Sequence, residues 1–176
     1  NNVTKRRNYQ YATTTIRVKR QNVVDELDDW QQLREAGSTI KRSVAANMPE
    51  LLEQFEQNVT ARGGHVHWAR DSKEANEIIQ DLIKATGEKK VVKIKSMATQ
   101  EIALNEELEK AGIFAQETDL AELIVQLGED FPSHILVPAI HRNRAEIRDI
   151  FVAKMPNTDE SLQPNPAELA EASREF

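Results

Sequence analysis

The chain has 176 residues, 39% hydrophobic and 30% charged, a size and balance that suit one domain, or one domain with arms. Aromatic residues are only 5%, too few for a stacking surface for single-stranded nucleic acid, and the absence of cysteine excludes disulfides, thiolate metal sites and a cysteine nucleophile. Net charge is −6 but uneven: residues 1–24 hold Lys5, Arg6, Arg7, Arg17, Lys19 and Arg20 with no acid, leaving 17 basic against 29 acidic side chains in the rest. A basic arm over residues 1–23 can meet nucleic acid or an anionic membrane. No nucleic-acid motif accompanies it, so it is expected to lie across an acidic surface of its own body or of a protein partner.

From Val24 onward the periodicity predicts helices. Leu27, Trp30, Leu33 and Ile40 recur near helical spacing, Pro49 suits a first turn, and Leu51, Leu52, Phe55 and Val59 continue to a stop at Gly63-Gly64. This N-terminal helical section covers 24–62. The rhythm then changes. His65–Trp68 is a short predicted strand, and Asp71 with Glu74 opens a helix with Ala75, Ile78, Ile79, Leu82 and Ile83 on its buried stripe, closed by Gly87.

Val91–Lys95 is the next predicted strand. A helix carrying Ile102, Leu104, Leu108 and Ala111 follows, then a strand over Ile113–Glu117. Asp119 and Glu122 form a predicted capping box for a helix with Leu120, Leu123, Ile124 and Leu127 inside. His134–Ile140 is a fourth predicted strand, and Ile147, Ile150 and Phe151 mark the last clear helix. Alternating strands and helices indicate an α/β core over 63–154 with a mainly parallel sheet. Residues 155–176 form a proline-containing linker and the start of a further helix. No apolar run approaches the ~20 residues of a membrane span, and the first residues lack an apolar leader core; the expectation is a cytoplasmic protein.

In open parallel sheets ligands bind beyond the carboxyl ends of strands, and three such ends are polar here. At the first, Lys93 and Lys95 share a strand face, Ser96 and Thr99 fall at a helix start, and Glu101 and Asn105 sit four apart on one helical face. These could hold a carboxylate while Glu101 moves a proton; equally, the hydroxyls could be caps and the lysines snorkelling side chains. The second end is Glu117-Thr118-Asp119 with Glu122 and Gln126, where the capping box already accounts for Asp119 and Glu122. The third is His141-Arg142-Asn143-Arg144, with His141 a candidate acid/base, an arginine a candidate carboxylate clamp, and Asn143–Glu146 a cap pair. His65 and His67 share a strand face without a carboxylate placed to join them, so no metal site is expected. Neither a Gly-x-Gly-x-x-Gly nor a P-loop is present.

The segments VVKIKSMATQEIALNEELEKAGI, ETDLAELIVQL and PSHILVPAIHRNRAEI resemble the lactate-utilization domain family, and YATTTIRVKR, DDWQQLREAGSTIKR and GGHVHWARDSKEAN extend the likeness over nearly the whole chain. More narrowly, they are similar to the N-terminal part of its iron–sulfur, B-type subunits from bacterial L-lactate oxidation. The resemblance implies a three-layer open sheet like that of CoA transferases and sugar-phosphate isomerases. It implies work with two sister subunits in converting L-lactate to pyruvate, electrons passing through [4Fe–4S] clusters. Such clusters would lie in a cysteine-rich segment outside these residues, so the chain is expected to be the front part of a longer protein, with no cofactor of its own. Lys95, Ser96, Thr99, Glu101, Asn105, Asp119, Glu122 and His141 occupy the matching motif positions. The roles assigned are carboxylate anchoring for Lys95 and the Ser96/Thr99 turn, substrate contact for Asn105, Asp119 and Glu122, and acid/base work for Glu101 or His141. The competing expectations are a pure assembly module and, from fold likeness alone, an independent isomerase or acyl-transfer enzyme. An exposed sheet edge would favour pairing with a second copy.

Overall fold

The computed structural model describes residues 2–133 and 137–176. They divide into two units, one comprising residues up to Thr14 together with Asp71–Phe176, the other Thr15–Arg70.

The basic segment is helical: α1 runs Val3–Asp25. Helices α2 (Trp30–Ala46) and α3 (Met48–Thr60, with Pro49 in its first turn) follow. None of the three has a buried residue. The strand expected at His65–Trp68 does not form. A strand needs a ladder partner, and the described strands pair only with each other; Trp68 Nε1 instead donates to Glu56 at 2.9 Å.

In the other unit the Asp71 carboxylate accepts from the Glu74 backbone N–H and starts α4 (Ser72–Thr86), which Gly87 ends with φ of +80°. Strand β1 (Lys90–Lys93) pairs in parallel with β2 (Phe114–Glu117), in a register that sets Lys93 opposite Glu117. Among the described residues the sheet has these two strands. The fourth predicted strand, His134–Ile140, falls partly outside the described residues; its remainder, Val137–Ile140, is a turn closed by the Ile140 N–H on the Val137 carbonyl.

Between the strands, the one helix expected is two: α5 (Met97–Glu101) and α6 (Leu104–Lys110). Ala103 breaks them at φ of +53°. Buried Asn76 stabilises the break by donating to the Ile102 carbonyl at 2.7 Å, a group that a continuous helix would satisfy internally. The break turns Leu104 and Leu108 onto Ile113 and Ala115 of the β2 segment, forming one core cluster with Ile79, Ile83 and Val91 at its margin. A second cluster joins Leu123, Ile124 and Val125 of α7 (Leu120–Leu127) to Ala139, to Phe151 of α8 (Arg144–Lys154), and to Met155 and Leu169, the last on α9 (Pro166–Glu175). The Asn143–Glu146 capping box forms as expected. No helix among the described residues is long and apolar enough to cross a membrane.

Candidate functional site

Strand alternation decides which side chains meet. Val91, Lys93 and Lys95 fall on the covered side, whereas Val92 (70% exposed) and Ile94 (74%) face away. The two lysines therefore enter the wall of a cavity of about 630 Å³ at the carboxyl ends of β1 and β2.

Parallel register brings the Lys93 ammonium to Glu117 Oε1 at 2.5 Å, and the Asn105 side chain donates to the same oxygen at 2.9 Å. The Glu117 side chain is only 7% exposed, so this ion pair is sheltered from water. Gln126, a polar residue in the otherwise apolar last turns of α7, accepts from the Glu117 backbone N–H and donates to the Ala115 carbonyl, clipping helix to strand. Lys95 reaches Glu122 Oε1 at 2.6 Å.

Glu122 thus pairs with a cavity lysine, and Asp119 caps α7 through the Ala121 N–H instead of through the expected reciprocal box. The two carboxyls are shifted in opposite directions from the ordinary value. A hydrogen bond with Glu122, seconded by the Ala121 and Glu122 N–H groups and the Lys95 charge, holds Asp119 below the usual carboxylate value. Burial, then the Asp119 neighbour, pushes Glu122 up against the pull of Lys95. A proton taken up by this pair therefore resides on Glu122 and is donated to Asp119.

Lys95, Ser96, Thr99, Asn105 and Glu122 are brought together at the cavity, as is Lys93. Asp119 stands behind Glu122 and is not on the wall. The Ser96 hydroxyl caps α5 by accepting from the Thr99 N–H, while the Thr99 hydroxyl donates to the Ser96 carbonyl, so both make local bonds. Glu101 is exposed at the end of α5, outside the cavity, and the break at Ala103 removes it from the helical face of Asn105.

His141 belongs to a separate constellation. Its buried ring meets Ser133 Oγ through Nδ1 at 2.8 Å and Asp130 Oδ2 through Nε2 at 2.7 Å. The Asp130 carboxylate only accepts, so the Nε2 position carries a proton. Arg142 donates twice to the same Asp130 oxygen, and Asn8 donates to the His141 carbonyl. Burial works against ionised Asp130, but the His141 and Arg142 bonds outweigh it and hold its carboxyl low. Sequence reading passed over Asp130 and Ser133: both lie in irregular chain, and their partnership with His141 follows from the Val137–Ile140 turn, not from spacing. Gln126 had a signal, an isolated amide in an apolar helix. Among the described residues no cluster of three or more potential ligands suits a metal ion.

Chemically, each cavity lysine commits one of its three donors and keeps others for an anion. Glu117 Oε2 and Glu122 Oε2 are both shut off from solvent and meet no donor.

Comparison with known proteins sharpens this picture. A family model described as the LUD domain matches residues 52–175. Proteins named "Lactate utilization protein B" from Bacillus thuringiensis (strain Al Hakam), Bacillus cereus (strain B4264) and Bacillus anthracis (strain CDC 684 / NRRL 3495) are each 44% identical over 154 residues, covering 86% of this chain and 33% of the relative. The chain thus spans about a third of the length of the curated relatives it matches. No solved structure matches. With a family model covering most of its residues, the chain belongs to the LUD domain family.

Proposed function

We propose that this chain serves lactate utilization as the N-terminal portion of an iron–sulfur subunit in a cytoplasmic complex that oxidises L-lactate to pyruvate, and that its strand-end cavity binds the small carboxylate. The observation that carries the site is the placing of Lys93 and Lys95 side by side on the cavity wall, each with donors to spare. Their partners Glu117 and Glu122 balance their charge, and nearby Asp130 is tied to His141 and Arg142. An incoming monoanion meets the spare N–H donors of the two lysines, on a wall that also carries Glu106, Glu109 and Glu129 and is acidic on balance.

The residues present do not fit an iron–sulfur cluster, because cluster ligation needs thiolates and the chain has none. In this reading the [4Fe–4S] clusters and the electron path lie elsewhere in the complex, which two sister subunits complete. The chain's own part is to bind and orient the carboxylate. The three-layer, CoA-transferase-like sheet is part of the same proposal. Its support is the bare apolar face of Val92, Ile94 and half-exposed Phe114, a surface that a further helical layer would cover.

Calorimetric titration of the full-length protein with L-lactate and pyruvate tests the reading. Saturable binding is expected, weakened at least about tenfold by Lys95→Ala, which removes a charge-assisted contact. Absence of binding would overturn it.

A second reading, a non-catalytic assembly module of that complex, is favoured by one observation: Leu33, Ile40, Leu51 and Phe55 stand exposed on α2 and α3, which bury no residue. Leu33→Asp with Phe55→Asp would then abolish co-purification of the sister subunits while leaving carboxylate titration unaltered.

A further inference from the structure

Helices α2 and α3 repeat one spacing. Leu33, Gly37, Ile40 and Val44 are four, three and four residues apart, and so are Met48, Leu52, Phe55 and Val59. Such spacing puts each set on one helical face, the seam of a coiled coil. Neither helix has a buried residue, and Ile40 and Phe55 are more than half exposed. Amphipathic spacing alone names no partner, but the order of residues along the seam does. Reflected about Ala46, Leu33 falls opposite Val59, Gly37 opposite Phe55, Ile40 opposite Leu52, and Val44 opposite Met48. A pattern that matches its own reverse is what a twofold interface needs, because residue i of one copy meets residue j of the other and j meets i.

Charge has the same sense. Helix α2 carries Arg34, Lys41 and Arg42 against Glu35, whereas α3 carries Glu50, Glu53 and Glu56 with no base. An antiparallel pair sets the cationic helix of one copy on the anionic helix of the other, with Arg34 beside Leu33 near Glu56 beside Phe55. A parallel pair would set α3 on α3, acid on acid. Gly37 points the same way. It lies inside α2, where a glycine weakens the helix, and a Cβ there would meet nothing within 4 Å in its own chain. Opposite the Phe55 ring of a second copy, the missing side chain becomes the space that the ring fills.

From these observations we infer that the chain pairs with a second copy of itself through an antiparallel α2–α3 seam, its twofold axis near Ala46. This pairing does not depend on the carboxylate cavity, and it gives to a second copy the face that the assembly reading gives to sister subunits. From Leu33 to Val59 each copy contributes 27 residues, within the roughly 20–30 per side of a stable interface. At high dilution the copies part, and Phe55 then stands exposed as in the single chain.

Sedimentation equilibrium of the full-length protein without its sister subunits, over about 0.1–100 μM, tests the pairing. A dimer that dissociates on dilution is expected. Gly37→Glu has open space in its own chain, yet in the seam it buries an unpaired carboxylate against Phe55, so it should weaken association at least about 100-fold. Arg34→Glu and Glu56→Arg should each weaken it roughly three- to tenfold, by turning both flanking pairs repulsive. Mixing those two variants should restore the affinity, since each then meets its opposite. A monomer throughout, or a dimer that Gly37→Glu leaves intact, overturns the seam. A mixture no tighter than its components overturns the antiparallel order. Capture of sister subunits by a monomer, lost in Gly37→Glu, overturns the pairing and hands the face to the assembly reading. Where Gly37→Glu lowers the melting temperature, the mixing experiment decides.

Discussion

Helices α2 and α3 carry Leu33, Ile40, Val44, Leu51, Leu52 and Phe55 at helical spacing, and every one of them is exposed. Helices α7 and α8 carry Leu123, Ile124, Val125 and Phe151 in the same kind of pattern, and every one of these is buried. The two regions, residues 15–70 and 71–176, do not differ in periodicity. They differ in having something to pack against: α7 and α8 meet Met155, Ala139 and α9, while α2 and α3 meet chiefly each other. Amphipathic spacing therefore specifies a helix and a sticky face, and leaves the occupant of that face unstated. Polar groups follow the same division. The 71–176 region holds sheltered ion pairs and a buried histidine, whereas the Arg42–Glu35 pair of α2 stands in solvent.

The sharpest way to break this comparison is to empty one aromatic site in each region. Phe151 is 0% exposed and Phe55 57% exposed. Phe151→Ala should cost about 3–5 kcal/mol, read by denaturant unfolding, and should speed amide exchange across α7–α9. Phe55→Ala should stay within about 0.5 kcal/mol. Equal losses would mean that the α2–α3 face is buried in the working protein, which the assembly reading requires.

Ion pairs give a smaller contrast. Lys93→Met alone leaves the Glu117 charge sheltered and unpaired, at a cost of about 3 kcal/mol, and Lys93→Met with Glu117→Leu should recover most of it. Arg42→Met in α2, where both partners are solvated, should leave the urea midpoint where it is. A double variant no more stable than the single one would show that Asn105 and the cavity wall demand the carboxylate itself.

The smallest effect is the pH dependence of the 71–176 region. Asp130 is held low by His141 and Arg142, so its contribution is present above the ordinary carboxylate value, about 3.9, and is lost as pH falls through its folded value. Glu122 is raised, so its contribution is present below the ordinary value and is lost as pH rises through its folded value. Accordingly Asp130→Asn should destabilise at neutral pH with a deficit that shrinks on acidification. Glu122→Gln should gain on the unaltered protein as pH rises. Urea midpoints from pH 3 to pH 7 check both signs, and parallel curves would remove the assigned protonation of the pair.

Much of the molecule was legible before folding. Asp71, Asn143 and Gly87 mark helix ends through local chemistry, a carboxylate or amide on free N–H groups and a backbone that accepts positive φ, and these boundaries stand within a residue or two. Strand parity was enough to place Lys93 and Lys95 on one face, and turn-and-cap residues were enough to place Ser96 at a helix start. The break at Ala103 was not legible, because nothing about alanine prefers the left-handed region; Asn76, far away in sequence, supplies the donor that stabilises it. Nor was the departure of Glu101 from the cavity, which follows from that break. Local sequence thus determined most helices beyond residue 24, two of the four expected strands and the polar character of their ends, since these depend on neighbours a few residues apart, but not that the basic segment would form the long helix α1. Only the tertiary structure decided that Glu117 would be pinned by Lys93, Asn105 and Gln126, and that His141 would turn to Asp130 and Ser133. Such pairings depend on register and on which buried polar group finds which donor, and a buried group accepts no substitute from water.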